Sequence, residues 1–465
     1  MLASSSALSG GTVQLQKSSD SGATWQVVYQ TASGLTGGYT APVFSAVDDN
    51  VVFWGGVVLN RSLDGGVTWS IVSSTTDGSS PTPHLDHQAI LLADNATLLD
   101  GTDGGLWKAT ALAATRLTWT NLNGDLNITQ VYPGASMDVS SLALIGGAQD
   151  TGVFMRGPDG SWLGTGGPDI FYTQIDPEDP SHFFAVSYAP WSLIECRSFF
   201  NGSFVCNHPT TNGLNPSEFN NYILTPLVIA SSEPKTMFLG APRVYSTSDG
   251  GANWSPISGV LAEARRDRFG NLLVFAGTGV GSMAVSRTNA SVIYAGFQSG
   301  DIWMTRDRGA SWNKAKTTLP VAPVSRIVVA PDNDRFAFAV FRTSTSLRLD
   351  QSLPVGRVFY TTDGGQTWTD ITGDLPAISV YSAAFDSTGT PPRLYVGNEV
   401  GVYRTSDGLH WEGFSNGLPT VRVTDLMLKP DTGTLVAATY GRGLWTTSSE
   451  FFSASARTRA AARQR

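Results

Sequence analysis

The sequence predicts an all-β chain: a β-propeller of four-stranded antiparallel blades, with about eight to ten repeats. Three observations predict it. First, a phrase of acid, glycine and tryptophan recurs: "SSDSGATW" ends at Trp25, "SLDGGVTW" at Trp69, "TSDGGANW" at Trp254, "TRDRGASW" at Trp312, "TTDGGQTW" at Trp368 and the shorter "TSDGLHW" at Trp411. With the degenerate copies at Trp119 and Trp162, the tryptophans fall roughly 43 to 58 residues apart, apart from one double gap before Trp254. Repeats of that period belong to solenoids, propellers or arrays. Second, short strand patterns alternate with turn signals, and no helical 3.6-residue period of useful length interrupts them. Third, the 465 residues include 50 glycines and only 15% charged residues, against the usual ~25%, as suits a turn-rich β chain.

The elements follow in order. Residues 1–12 read as a flexible N-terminus. "TVQLQKSSDSGATWQVVYQ" then reads as a hairpin of the third and fourth strands of a blade, C and D. Complete units begin near residues 41, 84, 128, 169, 222, 281, 323, 377 and 420. In one of them, "ISVYSAAFD" is strand A, "PPRLYVGNE" holds strand B, "GVYRTSDG" is strand C, and "HWEGFS" is strand D. Four short strands per unit of this length is the propeller pattern. After "GRGLWTTSS" no clear strand D follows, so the chain reads as beginning within a blade. One ring over residues 13–450 is the expectation, and two smaller or incomplete rings are the alternative. Residues 451–465, with four arginines, read as a basic, disordered tail.

The recurring acid sits at the C–D turn. A carboxylate there accepts backbone N–H groups a few residues on. The glycines take the positive-φ positions, and the tryptophan lies over the turn. Asp20, Asp64, Asp249, Asp307, Asp363 and Asp407 are therefore assigned as turn staples, since a catalytic acid is not needed in every repeat. The unit without this phrase holds Cys196 and Cys206 at symmetric distances from "FFNG". In a hairpin the two would face each other, so a disulfide is expected to replace the staple; two free buried thiols are the alternative.

Composition excludes some functions. A net charge of −8 argues against a nucleic-acid partner, which calls for a basic field. No apolar run reaches the ~18 residues of a membrane span. The first residues lack the basic and apolar regions of a signal peptide. The N-x-S/T sites and the expected disulfide point to an extracellular or secretory location.

Strand direction separates staple from site. The start of strand A and the B–C turn share one face, and the C–D turn lies on the other. Candidate functional residues are therefore those before A and after B. His84, Asp86 and His87 precede one strand A, and Asp100 and Asp103 follow the next strand B. Gln149 and Asp150 occupy the following B–C turn, and Asp169 precedes the strand A after that. Asp86, Asp103, Asp150 and Asp169 are the candidate catalytic carboxylates, as a pair for glycoside hydrolysis or as oxygen ligands for Ca²⁺. No cofactor is required by this reading, and turn capping is the alternative role for these acids. The remaining rim positions are Tyr188, Trp191, Arg243, Gln298, Arg342, Glu399 and Arg442, with Trp54, Tyr188 and Trp191 as sugar platforms.

The repeated phrase resembles the Asp-box, or bacterial neuraminidase repeat, S/T-x-D-x-G-x-x-W. The stretch from "HLDHQAI" through "GGAQDTGVF" to "IDPEDPSHFFA" resembles the glycosyl-hydrolase-like Asp-box proteins, related in fold to xyloglucanases and to the sortilin propeller. The resemblance implies a propeller that binds or hydrolyses glycans. Its alternatives are a sortilin-like binder of protein or peptide ligands, a sialidase, or a scaffold like the photosystem II assembly factors. Each alternative meets a departure: there is no x-R-I-P motif as in sialidases, only two cysteines where a sortilin-type chain carries a cysteine-rich module, and no basic balance. Xyloglucanases use two propellers around a cleft, and 465 residues is short for both.

Overall fold

The computed structural model describes residues 1–5, 13–31, 39–73, 82–94, 96–124, 126–137, 143–157, 159–187, 191–198, 204–209, 211–219, 225–261, 279–342 and 356–449. The tail expected over 451–465 and Tyr188 lie outside them. The described residues form ten antiparallel sheets, eight of four strands and two of three. The only helix among them is a 3-10 turn at Pro216–Glu218. Within each sheet consecutive strands are neighbours, so each is a meander, the arrangement that short strands joined by tight turns favour.

The sheets fall into two compact units, residues 1–128 and 129–465, where the sequence favoured one ring over 13–450. The first unit holds three sheets. Leu2–Ser5, expected in a flexible terminus, instead pairs as a strand with Val13–Lys17. The second sheet is cored by Trp54, fully buried among Tyr29 and Trp69 with ring centroids 6.2 and 5.9 Å away. Trp54 is thus a core residue and no sugar platform. Arg61 is also buried; its guanidinium donates to the carbonyls of Leu112 and Ala114 at 2.9 and 2.5 Å.

The second unit holds seven sheets whose first strands are Ser136–Met137, Ile170–Ile175, Leu227–Ile229, Val280–Val285, Val324–Ala330, Val380–Asp386 and Val423–Lys429. Each first strand packs on the first strand of the next sheet. They surround a common axis, because side chains from non-adjacent sheets meet. The Tyr172 hydroxyl donates to the Gly281 carbonyl at 3.1 Å, and Arg326 pairs with Asp425 at 3.1 Å. The seventh sheet closes on the first. Val131 N–H donates to Thr439 O at 2.9 Å, and Gly441 and Gly443 N–H donate to Thr129 O at 3.2 and 3.0 Å. Beneath these bonds Val131, Ala135 and Leu144 pack on Met427, Val436 and Ala438. This closure, between segments far apart in sequence, is why the chain forms two units.

The turn after the third strand repeats one construction. At "TTDGGQTW" the Thr361 hydroxyl donates to Asp363 Oδ1 at 2.9 Å and accepts Gly365 N–H at 3.0 Å. Asp363 accepts Thr367 N–H at 3.0 Å and the Thr367 hydroxyl at 2.6 Å. Gly364 and Gly365 hold φ of 80° and 87°, where a side chain would be strained. Trp368, 4% exposed, donates its indole N–H to Gly365 O at 3.0 Å. Burial of that side chain is worth roughly 4–6 kcal/mol as an upper bound. Asp20, Asp64, Asp249 and Asp307 accept the N–H four residues on in the same way, at 2.8, 2.8, 3.0 and 2.8 Å. Asp407, in the shortened copy, accepts the N–H of His410 three residues on, at 2.9 Å. In one of the sheets without this turn, Cys196 and Cys206 face each other on paired strands and are bonded, with Cα atoms 4.1 Å apart.

Candidate functional site

In a four-stranded meander the start of the first strand and the turn after the second lie on the face away from the acid turns. In the first unit that rim carries Asp86 and Asp103, joined by Asp103 N–H donating to Asp86 O at 3.2 Å. Asp86 holds a positive φ of 65°. Asp103 Oδ1 accepts the Gln88 amide at 3.0 Å. Tyr39 lies beside both acids: partial burial, then the Asp86 charge and hydrogen bond, raise its phenol above the ordinary value. His84 is at the rim, its ring nitrogen 3.0 Å from Leu85 O. His87 differs from expectation. As the first residue of His87–Leu92 it points inward, fully buried, with Nδ1 2.7 Å from Asp100 Oδ2. It is a core residue and leaves the ligand-binding set. The sequence missed this pair because strand alternation decides which side of a strand end faces the core.

In the second unit the corresponding rim brings Asp150 and Asp169 together. Asp150, in the turn after Leu144–Ala148, has φ of 57° and donates its N–H to Asp169 Oδ1 at 2.8 Å. The other Asp169 oxygen accepts the Tyr132 hydroxyl at 3.3 Å. Tyr132 packs on Phe171 with centroids 4.2 Å apart and lies 5.8 Å from the ring of Tyr440. The Tyr440 hydroxyl donates to Gln149 Oε1. Burial, then neighbouring charge, raises Tyr132 well above the ordinary phenol range, and burial raises Tyr440. Both stay protonated and act as neutral hydrogen-bond donors.

The same mouth continues around the axis. Arg422, just before Val423–Lys429, lies between two rings, its Cζ 4.8 Å from the centre of Tyr381 and 5.5 Å from that of Tyr440. The Tyr381 hydroxyl donates to Glu399 Oε1 at 3.0 Å. Arg342 donates to Gln298 Oε1 at 3.3 Å. Arg342 keeps some solvent-accessible surface, yet is so enclosed that desolvation holds its pKa below the ordinary guanidinium value. Deeper on the axis Asp425 accepts Arg326 at 3.1 Å and the N–H groups of Gly134 and Leu426 at 2.8 and 2.9 Å. Burial pushes Asp425 up, against the lowering effect of Arg326 and those N–H groups.

The other rim candidates are committed elsewhere. Arg243 pairs with Glu218 at 2.9 Å, and Tyr245 donates to the same carboxylate at 3.1 Å. Arg243 is thus occupied by a carboxylate of this chain. Trp191 is half-buried and stacked on Phe219 with centroids 4.3 Å apart, so it packs rather than standing free as a platform. Arg442 follows the second strand of the seventh sheet, its carbonyl accepting the Trp445 indole N–H at 2.8 Å. Among the described residues no group of three or more His, Cys, Asp or Glu side chains is placed to hold a metal ion. Tyr132, Tyr381, Arg422 and Tyr440 were missed from the sequence. The rule that selected Asp169, position just before a first strand, also selects Tyr132 and Arg422.

The unit has a second opening. Ends of five first strands surround a cavity of about 660 Å³ whose lining includes Gln174, Ile229, Arg287 and Asp332. It lies on the face of the acid turns.

No protein-family model matches this chain, and no curated protein matches its sequence. Solved structures do. An ancestral GH74 enzyme superposes with a TM-score of 0.54 at 12% identity, over 96% of this chain and 82% of that one. The GH74 enzyme of Niastella koreensis gives 0.31 at 15% identity, over 96% and 81%. The GH74 xyloglucanase of Xanthomonas campestris gives 0.30 at 16%, over 94% and 81%. The first of these likenesses supports the fold, an all-β propeller-type protein. At such identity it carries no chemistry across.

Proposed function

We propose that this chain is a carbohydrate-directed Asp-box β-propeller, glycosyl-hydrolase-like, that engages glycans at the mouth opposite the acid turns. The six acid turns are then Asp-boxes in the structural sense, as their hydrogen bonds support. The observation that carries the reading is the cluster of Asp150, Asp169, Tyr132, Tyr440 and Gln149 at that mouth. It offers two carboxylates, neutral hydroxyl donors and an amide on a rigid scaffold, the mixture that sugar hydroxyls need. Hydrolysis would further use Asp150 and Asp169 as the carboxylate pair. The likeness of fold to an ancestral GH74 enzyme agrees with this class. The disulfide fits an oxidising, extracellular setting. The 660 Å³ cavity, with its mixed apolar and polar lining, favours a second reading, a sortilin-like site for a protein or peptide segment.

The test is a glycan array and a hydrolysis screen with the wild type and with Asp150→Asn and Asp169→Asn. Binding that both variants weaken supports the reading. Turnover lost in the variants, with binding kept, makes the chain a hydrolase. A wild type that binds no glycan, while capturing peptides that the cavity variant Arg287→Ala releases, overturns it for the second reading.

A further inference from the structure

The axial mouth of the second unit contains two guanidinium groups without a counter-charge. Arg342 follows the second strand of the fifth sheet, Asn333–Phe341, and Arg422 precedes the first strand of the seventh. Arg422 borders Tyr381, and Arg342 lies near enough to feel the charge of Arg422. Among the described residues neither forms an ion pair. A guanidinium carries five N–H donors. Arg342 spends one on the Gln298 amide, at 3.3 Å. Arg422 is held between two tyrosine rings, and its Nε–H is buried with no acceptor. Of the carboxylates nearby, Asp425 is engaged by Arg326 and two backbone N–H groups, Glu399 by Tyr381, and Asp169 by Asp150 N–H and Tyr132, while the Asp150 carboxylate stands at the same mouth with its charge felt by Tyr440.

Two like charges at one mouth, one guanidinium enclosed and the other with a buried donor unmet, are costly unless an anion joins them. Contact with the rings of Tyr381 and Tyr440, at 4.8 and 5.5 Å, restrains Arg422 before a ligand arrives. We propose that this mouth binds an anionic group, a carboxylate or sulfate, between Arg342 and Arg422, and that the glycans it takes are acidic ones. The acidic-glycan part rests on the glycan reading above; the anion site does not. The fit is one of chemistry: the arginines take the charge, while Tyr132, Tyr440, Gln149 and Asp169 are left to meet hydroxyls a few residues around the same rim.

The experiment is calorimetric titration of the whole chain with sodium sulfate, with a uronic-acid oligosaccharide and with a neutral oligosaccharide of the same linkage and length. It is repeated with Arg342→Gln and Arg422→Gln. The uronic oligosaccharide is expected to bind at least about tenfold more tightly than the neutral one, with each variant losing about tenfold or more. Melting temperatures identify a variant that fails to fold, and the wild-type comparison stands without the variants. Uronic and neutral oligosaccharides binding equally, with sulfate not binding, overturns the inference and leaves the glycan reading intact. Arginine-dependent binding of sulfate with no binding of either oligosaccharide upholds the anion site and removes the glycan reading.

Discussion

Replacing Asp363 with alanine removes a carboxylate that accepts Thr367 N–H at 3.0 Å and the hydroxyls of Thr367 and Thr361 at 2.6 and 2.9 Å. The loss is not the sum of three bonds. Thr367 is exposed, so water takes over its N–H and hydroxyl; Thr361 is buried and loses its acceptor, though it still accepts Gly365 N–H. One lost cap and one poorly satisfied hydroxyl amount to about 1–2 kcal/mol. Trp368 keeps its own anchor to Gly365 O at 3.0 Å, so the lid stays. In a unit this large the loss lowers the melting temperature by roughly 2–4 °C. Asparagine retains one acceptor for Thr367 N–H and falls between aspartate and alanine. Urea unfolding followed by tryptophan fluorescence reads the stability, and the glycan array reads binding. The turn reasoning fails if Asp363→Ala abolishes ligand binding with its unfolding midpoint unchanged.

Two other outcomes follow from the same structure. The Cys196–Cys206 bond closes a loop with a sequence separation of 10, so replacing both cysteines with alanine should cost about 2–3 kcal/mol, read as a lower urea midpoint that reductant lowers in the wild type alone. Asp20, Asp64, Asp249 and Asp307 are held at about 2 by the hydrogen bonds they accept, which in Asp64 outweigh the opposing effect of burial. A depressed folded-state pKa gives stability that is present above the unfolded value and lost on acidification. Stability to urea should therefore hold down to about pH 4 and fall between about 4 and 2, with a shallower fall when these four acids become asparagine.

Much of the fold is legible because its signals are local. First strands expected near residues 41, 84, 169, 281, 323, 377 and 420 begin at Val43, His87, Ile170, Val280, Val324, Val380 and Val423. Each is a short apolar run bounded by turn residues. The division into two units stood in the sequence only as the alternative to one ring. It depends on Thr129–Val131 meeting Thr439–Gly443, which no local pattern announces. The site was legible by position and not by side-chain direction. Asp150 and Asp169 do meet, whereas His87 and Trp54 turn into the core. That Arg422 and Tyr440 share a mouth with Tyr132 and Gln149 becomes visible only once the seventh sheet is known to return beside the first.

The closed ring has two mouths, and the acid turns by themselves only say which is which. Unmet hydrogen-bonding capacity separates the two in function. At the acid-turn mouth Arg287 and Asp332, which line the cavity, are exposed, and water satisfies them at little cost. At the opposite mouth Arg342 is enclosed, and Arg422 keeps a buried donor without an acceptor. A folded chain tolerates such groups where something else completes them. On the proposed reading the ligand sits where the first strands begin, and Asp363 and its counterparts hold the outer hairpins of the sheets that carry them.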